Sequence, residues 1–586
     1  MNKILLRTLL NICKEYRWAL AFFLVAGISQ TFLGLYAISY FQRLIDGLTR
    51  ARQFEDVKWV LFGYIALTLG NHALIYLGGY PSSLLNNGAY QSAKLSAMKK
   101  IARIDYLAYQ NLGTGQLVQI IENGANATKS ILNNFYLNLI RGMLPSVLIS
   151  FAFIHYYDPA LLVIILGAYA ILFFASYYLM NYLRRAVDRM LANQEDFSKF
   201  STRGFMELVV FRVNGRFQKE FERVKSLSDE YVRSRAKIYL VQELFFTGFA
   251  VLVFGLEIVM VVQQTNRILA GVSTVGTLVA LVAFIKTVCS PISEFSYAYA
   301  TYKLDTVAFN RFGAFMSLPE DAGLAKGERI HLDRGRIEFR DVSFSFQNKP
   351  VLSNLSLTLE AGKTTALVGT SGGGKSTIVR LLLQLLKPVA GQVLVDGRDL
   401  SQVNLESFYR QVAYIPQDPP IFDGSLRENL TFNERVNDSY LQEVLEKVGL
   451  DSLISQLPAG LETIVGERGV KLSGGERQRL AFGRVFIQDP KIVIMDEPTS
   501  ALDSITESFI TKNMTHLFKG KTVIIIAHRL QSVKDADQIF VLEKGKIIQQ
   551  GSFETLAQTE GKFRQLWETQ TTRRAGILAP LQENPT

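Results

Sequence analysis

Residues 369–376 read Gly-Thr-Ser-Gly-Gly-Gly-Lys-Ser. This fits GxxxxGK[ST], a loop whose glycines let the backbone wrap a phosphate chain. Its N–H groups, and the start of the helix that follows, favour negative charge. Lys375 is placed to reach β- and γ-phosphates and the Ser376 hydroxyl to ligate Mg²⁺, so the pattern reads as an ATP site. Gly369, Thr370, Ser371, Gly372, Gly373, Gly374 and Thr377 complete the cradle. Downstream, "KIVIMDEPTSALD" (491–503) is an apolar strand ending in two adjacent acids. Side chains alternate along a strand, so Asp496 and Glu497 take different roles. Asp496 is assigned to the magnesium shell. Glu497 is assigned to the attacking water, as general base or positioner. "KTVIIIAHRL" (521–530) is a second buried strand, and it brings His528 to the phosphate side of the sheet. A further anion-binding pattern, Ser473-Gly474-Gly475, opens a charged helix in "LSGGERQR" (472–479), yet it carries no lysine aimed at a phosphate.

These residues need strands that end together and helices that begin there, which is an α/β P-loop domain; residues 335–570 carry that pattern. The first half is different. Long apolar runs at about 18–42, 57–80, 136–156, 159–182, 239–263 and 272–293 each have the length that crosses a bilayer as a helix. The fold class expected is therefore a polytopic α-helical membrane domain (1–320), a linker (321–334), and the α/β nucleotide-binding domain, with 571–586 as a disordered tail. Segments 81–135 and 183–238 are long, polar and helix-periodic, so the spanning helices continue far into water. Lys and Arg crowd 183–238, while only Arg267 follows the fifth span, which places both termini on the cytoplasmic side. The net charge of +11 follows from those loops rather than from nucleic-acid binding. The basic, amphipathic N-terminus reads as an interfacial helix over 3–16 rather than a cleavable signal. Two cysteines, Cys13 and Cys289, give neither a disulfide framework nor a metal spacing.

The P-loop, "YIPQDPPIF", "VGERGVKLSGGERQR", "IMDEPTSALD" and "IIIAHR", in that order, resemble the nucleotide-binding domain of ATP-binding cassette (ABC) transporters. With six preceding spans, the chain resembles an exporter-type half-transporter over roughly residues 10–570. The resemblance implies that two cassettes pair head to tail. Ser473, Gly474 and Gly475 of one would then contact the γ-phosphate held by Lys375 of the other. It also implies that Gln417 touches Mg²⁺, that Glu467 contacts the membrane domain and that Asp503 crosses the dimer interface. Phe346 stands where the family most often has a tyrosine stacking on adenine; the π-face is kept and the hydroxyl lost.

Charged and polar residues inside the apolar runs, namely Glu257, Lys286, Arg141, Asn71 and His72, either line a cavity or snorkel to the surfaces. Helix rise places Glu257 and Lys286 about 10 Å apart in depth, which argues against a direct pair. The expected activity is ATP hydrolysis coupled to export of an amphipathic small molecule, lipid or peptide. The working unit expected is a homodimer in a bacterial inner membrane, with a heterodimer open. Import through an exporter-like fold, or a nucleotide-gated channel or regulator, are the alternatives. Nucleic acid is not an expected partner.

Overall fold

The computed structural model describes residues 3–49, 53–110, 112–157, 208–347, 349–466, 470–499 and 518–577, with scattered positions in 159–178 and 502–510. Glu467, Asp503 and most of the fourth apolar run lie outside the described residues. The chain divides into two compact units: residues 1–104 with 108–319, and residues 320–586 with 105–107.

Among the described residues the first unit is helical. Among the described residues four helices are long and apolar enough to cross a membrane: Arg17–Leu48, Lys58–Ile101, Gly115–Tyr157 and Phe217–Leu269. A shorter apolar stretch, Val275–Pro291, opens the 42-residue helix Val275–Met316. At 1.5 Å per residue the 44-residue helix Lys58–Ile101 is about 66 Å long, about twice a bilayer's ~30 Å hydrocarbon core. Such helices continue beyond any membrane they cross. The N-terminal helix Lys3–Glu15 buries Leu9 and Ile12 in the same core as Leu85, Ala89, Ala93 and Ala97. That apolar face is covered by protein, so the expectation of an interfacial helix holds at most for its other faces.

Local chemistry explains two irregularities. Pro291 has no N–H for the carbonyl of Thr287 four residues back. That carbonyl instead accepts from the Ser146 and Ser290 hydroxyls, each at 3.4 Å. The helix Gly115–Tyr157 widens to π geometry over Ile131–Leu137 and Leu139–Met143. Arg141, in the second π stretch, donates to Gln30 Oε1 at 3.0 Å and lies 4.1 Å over the Phe23 ring. Gly27 makes room for it, since a Cβ there would stand 1.9 Å from Arg141 Cγ. Arg141 is therefore held by protein partners rather than snorkelling. Among the described residues no ion pair joins Glu257 to Lys286. His72 is exposed and its Nδ1 lies 2.8 Å from the Thr68 carbonyl of its own helix.

The second unit is α/β. Its strands are β1 (Ile337–Phe346), β2 (Lys349–Leu359), β3 (Thr364–Gly369), β4 (Ala390–Val395), β5 (Arg398–Asp399), β6 (Val412–Ile415), β7 (Gly424–Ser425), β8 (Ile464–Val465), β9 (Ile492–Asp496), β10 (Thr522–Ile526), β11 (Gln538–Glu543) and β12 (Lys546–Gly551). They form an antiparallel sheet in the order β2-β1-β4-β5, a six-stranded sheet β12-β11-β3-β10-β9-β6 and the pair β7-β8. From β11 to β6 the larger sheet is parallel. Alternation sorts its side chains. Leu367, Ile492, Ile494 and Ile524 join one core with Ile378 and Leu381 of the helix Lys375–Leu382. Ala366, Val368, Val493, Met495 and Ile525 join another with Leu480, Phe482 and Val485 of the helix Gly474–Gln488. The helix Lys562–Ile577 runs past residue 570, where the sequence suggested that order ends.

Candidate active site

Four parallel strands end at one edge, and each delivers a polar residue there. β3 runs into the loop 369–374, β6 is followed by Gln417, β9 ends in Asp496, and β10 is followed by His528. This is the carboxyl edge at which open α/β sheets place their ligands.

The loop's glycines are required by geometry at two points. Gly369 has φ +144°, and a Cβ there would lie 2.1 Å from the Leu542 carbonyl oxygen of β11. Gly374 has φ +104° and caps the helix Lys375–Leu382. Lys375, 5% exposed, donates from Nζ to the carbonyls of Gly369 (2.8 Å) and Thr370 (3.1 Å). Burial pushes its ammonium below the ordinary range, and the carboxylates of Glu497 and Asp496 oppose that shift. A cationic amine, backbone N–H groups and a helix start thus converge on one concave loop, and these groups fit a polyphosphate.

Asp496 keeps the parity of Ile492 and Ile494 on the side of the P-loop helix. Burial raises its carboxyl above the usual range, Glu497 adds to the rise, and His528, Arg380 and Lys375 counter it. Glu497 breaks the strand with φ +47°, an unusual conformation for a side-chain-bearing residue, while its N–H still donates to Ile526 O at 2.9 Å. Its carboxylate is held from both sides: Gln417 Nε2 donates to Oε2 at 3.1 Å, and His528 Nε2 lies 3.4 Å from Oε1. Residues 417, 497 and 528, far apart in sequence, therefore form one cluster. The oxygen-bearing Ser376, Gln417 and Asp496 suit a hard cation such as Mg²⁺.

Other residues named from the sequence stand elsewhere. Ser473 is exposed and caps the helix Gly474–Gln488 in a reciprocal box with Glu476, with N–H to Oε2 at 2.7 Å and Oγ from Glu476 N at 3.3 Å. Among the described residues no hydrogen bond or ion pair ties 473–475 to Lys375, Asp496, Glu497 or His528. Phe346 is half-buried at the end of β1, edge-on to Phe344 with centroids 4.8 Å apart.

Two contributors escaped the sequence reading. Gln478 is 1% exposed, and its amide reaches the Gln417 carbonyl at 3.5 Å, linking the 473–475 helix to the cluster. Its spacing with Ala481, Phe482 and Val485 put a polar residue on the apolar face, and that was the available signal. Arg380, one turn into the P-loop helix, faces Asp496 and reads as an ordinary helix charge from sequence alone.

Comparisons with known proteins match this architecture. The family described as "ABC transporter transmembrane region" matches residues 20–292, and "ABC transporter" matches 352–500. A protein named ATP-dependent lipid A-core flippase from Syntrophus aciditrophicus is 27% identical, covering 90% of this chain and 88% of its own. The mitochondrial iron-sulfur clusters transporter ATM1 of Gibberella zeae is 29% identical over 91% of this chain and 78% of its own. A solved structure of a bacterial Atm1-family ABC exporter with ATP bound superposes with a TM-score of 0.84 at 23% identity, covering 95% of this chain and 99% of that one, which shows a common fold. A multi-pass membrane region and an ATP-binding, ATP-hydrolysing domain thus share one chain: it belongs to the ABC transporter family, as a half-transporter of exporter-type fold.

Proposed function

We propose that this chain forms one half of a homodimeric exporter that closes its two cassettes on shared ATP. The clustering of Gln417, Glu497 and His528 beside the Lys375 loop carries this reading. The separate position of Ser473–Gly475 supports it further. A helix start of anion-binding pattern that, among the described residues, makes no hydrogen bond or ion pair with its own P-loop lysine is free to serve a second copy across a two-fold interface. In this reading Glu497 takes the proton of the attacking water, Gln417 and His528 hold its carboxylate in place, and Lys375 binds the β- and γ-phosphates. Ser376, Gln417 and Asp496 would hold Mg²⁺, which supplies charge neutralisation at those phosphates. Phe346 offers a ring face to adenine. Asp503 and Glu467 keep their inferred roles at the dimer interface and the membrane domain.

Closure on ATP drives the membrane helices from inward-facing to outward-facing. The cargo proposed is an amphipathic small molecule, lipid or peptide, in keeping with relatives named as a flippase and as iron-sulfur cluster transporters. The setting proposed is a bacterial inner membrane with both termini cytoplasmic.

The test is ATPase activity of the chain purified alone in lipid, beside Glu497→Gln. Activity in the wild type that falls at least a hundredfold in the variant, with ATP binding kept, is expected. A wild type that binds ATP yet stays inactive would overturn the homodimer, and a variant with near-normal turnover would remove Glu497 from its role.

A further inference from the structure

His528 reaches the site over a joint that β10 alone does not fix. Its side chain is 41% exposed, so little packing holds the imidazole, and its direction is set by the backbone on either side. Upstream, β10 is tied in through Ala527 N–H to Leu367 O at 3.2 Å. Downstream the chain leaves the sheet and turns into the short 3-10 helix Leu530–Val533, whose first N–H groups have no partner within the turn. Leu530 and Val533 are buried and anchor that turn, but the peptides between 528 and 530 still need an orientation.

That orientation comes from Gln570, on the helix Lys562–Ile577. Its Nε2 donates to the His528 carbonyl at 2.8 Å, and its Oε1 accepts from Leu530 N–H at 3.0 Å. One carboxamide thus takes both backbone groups that flank Arg529, as the peptides of a neighbouring parallel strand would. The helix that carries it is held in turn. Phe563 is fully buried in the same core as Ile525, Ala527, Leu530 and Val533. Phe553 packs edge-on against Phe563 and Trp567, with centroids 5.5 and 5.0 Å apart. Trp567 comes one turn after Phe563, and Gln570 nearly one turn after Trp567, so the three share a helix face. The packing that seats the rings therefore also aims the carboxamide at residues 528–530.

We infer that Gln570 is a positioning residue for ATP hydrolysis: it fixes the backbone that aims the His528 imidazole at the Glu497 carboxylate, 3.4 Å away. This role rests on that of His528, which with Gln417 holds Glu497 in the proposed mechanism. It makes turnover depend on a C-terminal helix that lies outside the strands ending at the site. Among the described residues no hydrogen bond joins Gln570 to the loop 369–376, so nucleotide affinity does not depend on it.

Gln570→Met tests it, since methionine keeps the length and packing of the side chain and removes both hydrogen bonds. Gln570 is partly exposed, so water can replace those bonds, and the fold is kept while the direction is lost. Steady-state ATPase of the full chain in lipid nanodiscs should show kcat down about five- to thirtyfold, with KM for ATP within about twofold of the wild type. A cycle with His528→Ala separates positioning from general damage. In that background, with released radiolabelled phosphate counted so that slow rates are read, Gln570→Met should change the rate by less than about twofold. A near-normal kcat in Gln570→Met, or an equal fall in both backgrounds, would overturn the assignment. Turnover that survives His528→Ala would remove His528 from its role and Gln570 with it; a fall in His528→Ala alone would sink only the role of Gln570. Hydrogen exchange over 526–531 reads the same joint without turnover. Faster exchange in Gln570→Met is expected even if the chain alone hydrolyses nothing, and unchanged exchange would refute the positioning role.

Discussion

Glu497 occupies a backbone conformation, φ +47°, that few side-chain-bearing residues adopt, and such strain persists only where neighbours fix it. Here the fixing contacts are the N–H to Ile526 and the side-chain contacts to Gln417 and His528. Gln417→Ala should therefore lower ATP turnover about tenfold to a hundredfold with little change in nucleotide affinity, measured by steady-state ATPase and by fluorescent-nucleotide titration. The reason is that it frees the Glu497 carboxylate rather than emptying the phosphate cradle. Gly369→Ala should do the opposite. Its Cβ would collide with the Leu542 carbonyl at 2.1 Å, and β3 cannot move without its partner strand. Nucleotide binding should be lost in the same titration, with a fall in the melting temperature.

At the scale of elements, two joints are open to test. The start of β1 is held by Asp396, whose carboxylate accepts four backbone N–H groups, those of residues 333–336, at 2.8–3.1 Å. Burial pushes that carboxyl up, but the four donors outweigh it and hold it below the ordinary range. A depressed carboxyl stabilises the fold above its unfolded pKa, and the contribution is lost as pH falls through the lower, folded value. Asp396→Ala should cost about 1–2 kcal/mol at pH 7, at the lower end for charged hydrogen bonds because the group is partly exposed. The wild-type advantage should shrink in denaturation series run towards pH 3. The other joint is Arg141 with Gly27. Gly27→Ala should destabilise the membrane unit by about 1–3 kcal/mol, since over-packing forces Arg141 off Gln30 and Phe23. Removing the Arg141 side chain as well should return part of that loss, a coupling that a double-mutant cycle in detergent melts would read.

For the whole molecule, the topology argued from charge makes a direct prediction. In a Cys13→Ser, Cys289→Ala background, a membrane-impermeant maleimide should label Gly271→Cys on intact cells. It should label Lys219→Cys only after permeabilisation. Both positions are exposed in the structure, so a lack of labelling reports sidedness rather than burial. The reverse pattern would overturn the cytoplasmic placement of the long extensions.

The α/β cassette and its phosphate loop were legible in the sequence because each depends on local rules. A P-loop is contiguous, its glycines answer to backbone geometry within a few residues, and the apolar run 492–495 marks the strand that ends in Asp496. Apolar length likewise marked the spanning helices, since the bilayer sets one dimension for them all. Tertiary structure decided what depends on distant partners. It turned Glu497 into a left-handed conformation between Gln417 and His528, and it put Gln478 behind the Gln417 loop. It found Arg141 a place against Gln30, Phe23 and Gly27. None of these follows from spacing, because a side chain's partner across a helix interface or a sheet edge is chosen by packing of segments that stand up to 111 residues apart for Arg141 and Gln30, and packing is non-local.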